Sequence, residues 1–127
     1  MRKVKLAVNG TLMRGLELNH NLLSVGAVFL CQTVTAPTYR LWSIGDLYPA
    51  MLRDDHLGAA IHVEIWSLSA SALVAVLQQE PPGLCLGRVE LQGGELVFGV
   101  LAEPYLISGQ QEITRWGGWR EYRQSQP

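Results

Sequence analysis

The 127-residue sequence predicts an α+β fold: a small mixed β-barrel or strongly curved sheet of about six or seven strands, with about two or three short flanking helices. Three observations predict it. Short strand-like runs recur along the chain with turn residues between them, in a consecutive and antiparallel-looking order. Two of these runs flank Gln92-Gly93-Gly94, a hairpin signal. Helical stripes are few and short.

Lys3-Val4-Lys5-Leu6-Ala7-Val8 alternates apolar residues with lysine, as a half-buried strand does, and runs straight into Asn9-Gly10-Thr11-Leu12-Met13-Arg14-Gly15. Asn-Gly is a common hairpin turn. Equally, Gly10 and Gly15 permit positive φ and let backbone N–H groups approach an anion or carbonyl closely, so the segment also reads as a ligand loop. Leu16, Leu18, Leu22 and Leu23 approximate a helical stripe closed by Gly26. Residues 27–34 read as a buried strand, broken by Thr35-Ala36-Pro37, and residues 38–44 as an amphipathic strand turned by Gly45-Asp46. Residues 47–58 hold a proline, a charged cluster and a closing glycine, and are expected to form an irregular crossing loop that lines a pocket.

Residues 59–68 set Ile61, Val63 and Ile65 on one strand face and His62, Glu64 and Trp66 on the other. Ser69 or Ser71 is placed to cap a helix carrying Leu73, Val74, Val76 and Leu77, which Pro81-Pro82 stops just beyond Glu80. Residues 84–91 and 95–101 form the hairpin. The tail, residues 110–124, is rich in arginine and tryptophan and is broken by Gly117-Gly118.

With 48% hydrophobic residues, the chain suits one domain over residues 1–127, of a length that buries about two-thirds of its unfolded surface. Lys+Arg 10 against Asp+Glu 11 gives a net charge of -1, with no basic run and no acidic tail. Neither nucleic acid nor a membrane surface is an expected partner; a small molecule is. The N-terminus lacks the long apolar region of a signal peptide and no segment has the length to span a bilayer, so a cytoplasmic location is expected. Cys31 and Cys85 lie in apolar runs and are expected to be buried, reduced thiols.

No nucleophile elbow, phosphate loop, dinucleotide fingerprint, zinc pair or Cys-x-x-Cys occurs, and no cofactor or metal is expected. His62 and Glu64 share a strand face, which suits either the start of a metal site or an ordinary polar face. Glu80 is either an exposed residue at a helix end or a rigidly held carboxyl whose pKa burial raises into the range useful for proton transfer. Trp116-Gly117-Gly118-Trp119 either closes the core or lets the backbone approach a ligand, with Arg115 or Arg120 available to grip a carboxylate.

Two sets of motifs resemble known families. Asn9-Gly10-Thr11-Leu12, Tyr39-Arg40-Leu41, Tyr48-Pro49-Ala50 and Val63-Glu64-Ile65-Trp66 resemble the markers of the gamma-glutamylcyclotransferase-like superfamily. Leu18-Asn19-His20, Thr35 to Leu41, Val63 to Trp66, Pro81 to Leu91 and Ile113 to Arg120 more closely resemble the C-terminal domain of allophanate hydrolase, across nearly the whole chain. That resemblance implies a stand-alone copy of a domain that normally follows an amidase domain. It also implies a small barrel with a cavity at the Gly-Thr-Leu loop for a small acidic substrate, such as the N-carboxycarbamate released from allophanate. Thr11 stands where that family usually has a histidine. The cyclotransferase resemblance implies that Glu80 is the catalytic base in closing 5-oxoproline, with Asn9 standing where a tyrosine is usual. The residues so nominated are Glu80 for catalysis and Asn9, Gly10, Thr11, Leu12, Tyr48, Pro49, Gly118, Trp119 and Arg120 for substrate binding. A non-catalytic module that binds a small acid, a second copy of itself or a separate amidase is the alternative.

Overall fold

The computed structural model describes residues 2–127. Lys3–Val8 forms β1, as its alternation predicts, and Asn19–Leu23 a short helix α1 that ends in a turn with Gly26 at φ +78°. Three strands follow, β2 (Val28–Val34), β3 (Tyr39–Ile44) and β4 (Tyr48–Arg53), and then β5 (His62–Ser69) and α2 (Ala70–Gln78). The hairpin is β6 (Leu84–Glu90) with β7 (Leu96–Ala102), and the tail holds β8 (Gln111–Glu112) and α3 (Trp119–Ser125).

The expected barrel or strongly curved sheet is not what forms. The strands divide into a five-stranded sheet of order β2-β5-β1-β7-β6 and a three-stranded sheet of order β4-β3-β8, neither closed into a barrel nor strongly curled. Closure would need the edge strands β2 and β6 to pair along their length. They meet only past their ends, at the isolated bridge Thr35↔Leu91, because β2 is bulged between Phe29 and Cys31 and the chain then leaves to build the second sheet. Consecutive order misleads here because β1 pairs with distant strands: antiparallel with β5 from Lys3↔Ser69 to Val8↔Glu64, and parallel with β7 at Leu6↔Phe98 and Ala7↔Gly99.

Four local expectations are corrected. Residues 48–53 are a strand, paired with β3 from Tyr39↔Arg53 to Ile44↔Tyr48, and Pro49 is tolerated because β4 is an edge strand that can spare an N–H. The β3 strand is buried on both faces rather than amphipathic, apart from half-buried Arg40. The β2 strand is exposed or half-buried along its length, since it lies at an edge. Cys31 is therefore exposed and Cys85 half-buried, both as free thiols.

The helix after β5 follows its local signals. Ser69 caps α2 by accepting a hydrogen bond from the Ala72 N–H at 3.2 Å, and Ala72, Leu73 and Val76 are buried. The main core gathers around Trp66, Tyr39 and Tyr122, and a smaller one around Trp42, Ile44, Ala50 and Ala102 underlies the second sheet. No helix is long and apolar enough to cross a membrane among the described residues.

Candidate functional site

Where β1 ends, four parts of the chain meet. The parallel neighbour β7 brings Val100 alongside, β4 contributes Tyr48 and Pro49, the segment after α2 contributes Glu80, and residues 8–12 complete a narrow cleft with Leu84. Its cavity is about 20 Å³, room for a water-sized group. Asn9 is buried and donates from Nδ2 to the Val100 carbonyl at 3.0 Å, which ties the start of the loop to β7.

Gly10 is required here by space, and its φ is not positive. A Cβ at this position would stand 2.5 Å from Cδ and 2.7 Å from Cγ of Pro49, so only glycine lets the loop lie against β4. The positive φ belongs to Gly15, at +77°. All three carbonyls of residues 10–12 are used: Gly10 accepts from the Met13 N–H at 3.0 Å, Thr11 from the Leu18 N–H at 2.9 Å and Leu12 from Asn19 Nδ2 at 2.8 Å. Their N–H groups, by contrast, donate to no acceptor among the described residues. Consecutive free amides on a fixed loop are a ready cradle for an anion or developing oxyanion.

Glu80 follows the last turn of α2, where its N–H donates to the Leu77 carbonyl at 3.1 Å. The side chain is half-buried in the cleft, forms no ion pair among the described residues, and burial pushes its pKa up to about 7. Burial also raises the Tyr48 phenol, with Tyr105 and Glu80 adding to the effect. A carboxyl poised near neutrality beside uncommitted amides is equipped to move a proton while charge develops opposite it.

The cleft thus unites Asn9, Gly10, Thr11, Leu12, Tyr48, Pro49 and Glu80. Gly118, Trp119 and Arg120 lie outside it. Gly118 lies against His62 and Glu121, where a Cβ would collide, and Trp119 is buried in the main core. Arg120 donates from Nη2 to the Arg14 carbonyl at 3.0 Å and to Glu64 Oε2 at 3.3 Å.

Glu64 is the organiser that sequence reasoning missed. Its carboxylate is 1% exposed, yet it accepts from the Arg14 N–H at 2.9 Å, Arg14 Nε at 3.3 Å and Trp66 Nε1 at 3.2 Å as well as from Arg120. It thereby pins the far end of the loop to β5 and α3. His62 pairs instead with Glu121, Nδ1 to Oε2 at 2.9 Å, so the His62–Glu64 spacing does not bring the two side chains to one ion. The alternation of β5 carried a signal for Glu64, a carboxylate beside Trp66 on a strand, but nothing local said that this face would be covered. Asn19 was likewise visible only within a motif; its work is to hold the Leu12 carbonyl.

The arrangement of the two open sheets is the gamma-glutamylcyclotransferase-like class of fold. Solved gamma-glutamyl cyclotransferase shares that fold at a TM-score of 0.56 and 12% identity, over 87% of this chain and 70% of its own. Within the class, the chain belongs to the allophanate hydrolase C-terminal domain family, whose profile matches residues 4–124. A uropathogenic E. coli-specific protein of known structure is 47% identical, with a TM-score of 0.96 and both chains covered in full. Kluyveromyces lactis allophanate hydrolase is 30% identical over 98% of this chain and 21% of its own, with a TM-score of 0.92. Saccharomyces cerevisiae urea amidolyase is 34% identical over 94% of this chain, which spans only 7% of that protein's length.

Proposed function

We propose that the chain acts on a small carboxylate or amide, such as an allophanate-derived N-carboxycarbamate, with Glu80 transferring the proton and the amides of residues 10–12 holding the anionic head. The observation that carries this reading is the position of Glu80, half-buried and at about pKa 7 in the same cleft as those free amides. The cleft seats the reacting head and leaves the rest of the substrate at its mouth, beside Tyr48. In the protonated form, Glu80 donates to the nitrogen of N-carboxycarbamate as its C–N bond breaks, releasing carbon dioxide and leaving carbamate. The membership of the allophanate hydrolase C-terminal domain family supports this substrate class.

A second reading is favoured by the same glutamate in the ionised form. It would take a proton from the α-amine of a γ-glutamyl compound, the amine would attack the γ-carbonyl, and the proton would return to the departing nitrogen as 5-oxoproline closes. The pH profile separates the two. Decarboxylation needs the acid, so kcat/KM falls as pH rises through about 7; cyclisation needs the base, so it rises through the same value.

Turnover of a panel of allophanate-derived and γ-glutamyl compounds by the wild-type chain and Glu80→Gln tests both. The variant is expected to lose roughly 10²- to 10⁴-fold in kcat while remaining folded, with a cooperative melting transition. Full activity in a folded Glu80→Gln protein would remove Glu80 from the mechanism, and absence of turnover across the panel would favour a module that binds without catalysis.

A further inference from the structure

At the other end of β1, roughly 16 Å from the Glu80 cleft by the rise of an extended strand, Arg2 and Lys3 line a separate cavity of about 260 Å³. Arg88, Leu96 and Phe98 also line it, with the Lys5–Glu95 ion pair, 3.0 Å long, among its walls. Its charge is unusual for this molecule. Lys5, Arg14, Arg40, Arg53 and Arg120 are each paired with a carboxylate, and Arg115 and Arg123 lie over the rings of Trp116 and Trp119. Among the described residues, Arg2, Lys3 and Arg88 are the lysines and arginines left with neither an ion pair nor an aromatic ring. All of them gather in this cavity, on a chain whose net charge is -1.

Apolar surface accompanies the charge. Leu96 is 57% and Phe98 36% exposed, and Phe98 stands directly opposite Arg88 in the β6–β7 register. Unpaired cations repel one another and gain from an anion between them, while the exposed aromatic ring and leucine gain from an apolar group laid over them. Neither need is met within the chain. A simple inorganic anion would satisfy only the first, and a neutral apolar molecule only the second. We propose that this cavity is a second binding site, independent of the Glu80 cleft, for a small amphipathic anion: a carboxylate, sulfonate or phosphate carried on an aromatic or other apolar body. The cavity's size limits that body to about one ring system.

Naphthalene sulfonate, an aromatic sulfonate with a single ring system, is a direct probe, titrated by calorimetry into the folded protein with inorganic phosphate as the charge-only control. Saturable binding at one site per chain is expected, weakening as salt is added. Reversing two of the cations, Lys3→Glu with Arg88→Glu, is expected to weaken it at least about tenfold, since one unit charge at contact distance in water is already worth a factor of about five. Phe98→Ser is expected to weaken the probe but leave phosphate unaffected, and Glu80→Gln to leave binding of the probe unchanged. Near-ultraviolet circular dichroism of the variants confirms that tertiary packing persists. Lack of saturable binding, binding indifferent to charge reversal, or binding abolished by Glu80→Gln would each overturn the proposal.

Discussion

Burial gives Glu80 a titration that reports on folding as well as on the proposed chemistry. The unfolded chain ionises this carboxyl near its ordinary 4.5, the folded chain near about 7, so between those values the native state holds a proton that the unfolded state has released. Stability contributed by this group therefore falls as pH rises through that window and is level above it. Denaturant unfolding of wild type and Glu80→Gln across the window is expected to show the fall in wild type and its absence in the variant; parallel curves would mean that Glu80 is not desolvated. At Gly10 the constraint is steric. Gly10→Ala drives a methyl into the Pro49 ring, and overpacking of this kind is expected to cost about 1–3 kcal/mol, read as a lowered denaturation midpoint. Gly15→Ala adds a Cβ in open space but at positive φ, so its cost is about 1 kcal/mol of backbone strain, without the clash.

At the scale of elements, the loop after β1 is held from both ends. Asn9 ties it to β7, and Glu64 on β5 ties Arg14 to Arg120 of α3. Removing Glu64 leaves the buried Trp66 N–H without its acceptor, while Arg14 and Arg120 can turn to water, so Glu64→Ala is expected to destabilise by about 1–3 kcal/mol. Arg120→Ala removes a half-buried partner whose carboxylate retains Arg14 and Trp66, and is expected to cost less. Amide hydrogen exchange across residues 10–15 should quicken in Glu64→Ala before the strands of the main sheet do, because the loop loses its anchor while the β1 ladders remain. If the loop stays as protected as in wild type, Glu64 is not its anchor. These elements also show what local patterning could supply. The Ser69 cap, the β6–β7 hairpin and β1 itself were legible because each depends on neighbours in the chain. The strand character of residues 48–53 was not, since Pro49 reads as a breaker until β4 is known to lie at an edge.

Across the whole molecule, α3 closes what the two sheets leave open. Trp119 and Tyr122 are buried in the main core, and the Tyr122 hydroxyl donates to Asp46 Oδ1 at 2.6 Å, at the turn joining β3 to β4. Ending the chain after Gly117 would uncover both aromatic sites and remove the Arg120 contact with Glu64. Loss of a single cooperative unfolding transition and of near-ultraviolet circular dichroism is expected; a truncated chain that melts cooperatively at the wild-type temperature would show α3 to be an accessory. This role also explains why Gly118, Trp119 and Arg120, nominated together with Glu80, lie apart from it: the tail packs against the Glu64 side of the loop, while Glu80 approaches the Gly10 side. The candidate site was half visible beforehand. Residues 9–12, 48, 49 and 80 carried local signals of a loop, a proline and a helix end, whereas Glu64 and Asn19 looked like ordinary members of a strand and a helix.

By itself the sequence determined the α+β class, the first strand with its glycine loop, the capped second helix ending before Glu80, and the late hairpin, because alternation, capping and turn chemistry act over a few residues. Only the tertiary structure decided that the strands form two open sheets, that β1 lies between β5 and β7, and that Glu80 is buried enough to titrate near neutrality. Those outcomes depend on pairing between residues distant in the chain, such as Leu6 with Trp66 and Phe98, and on how much water is left around a carboxyl once they have paired.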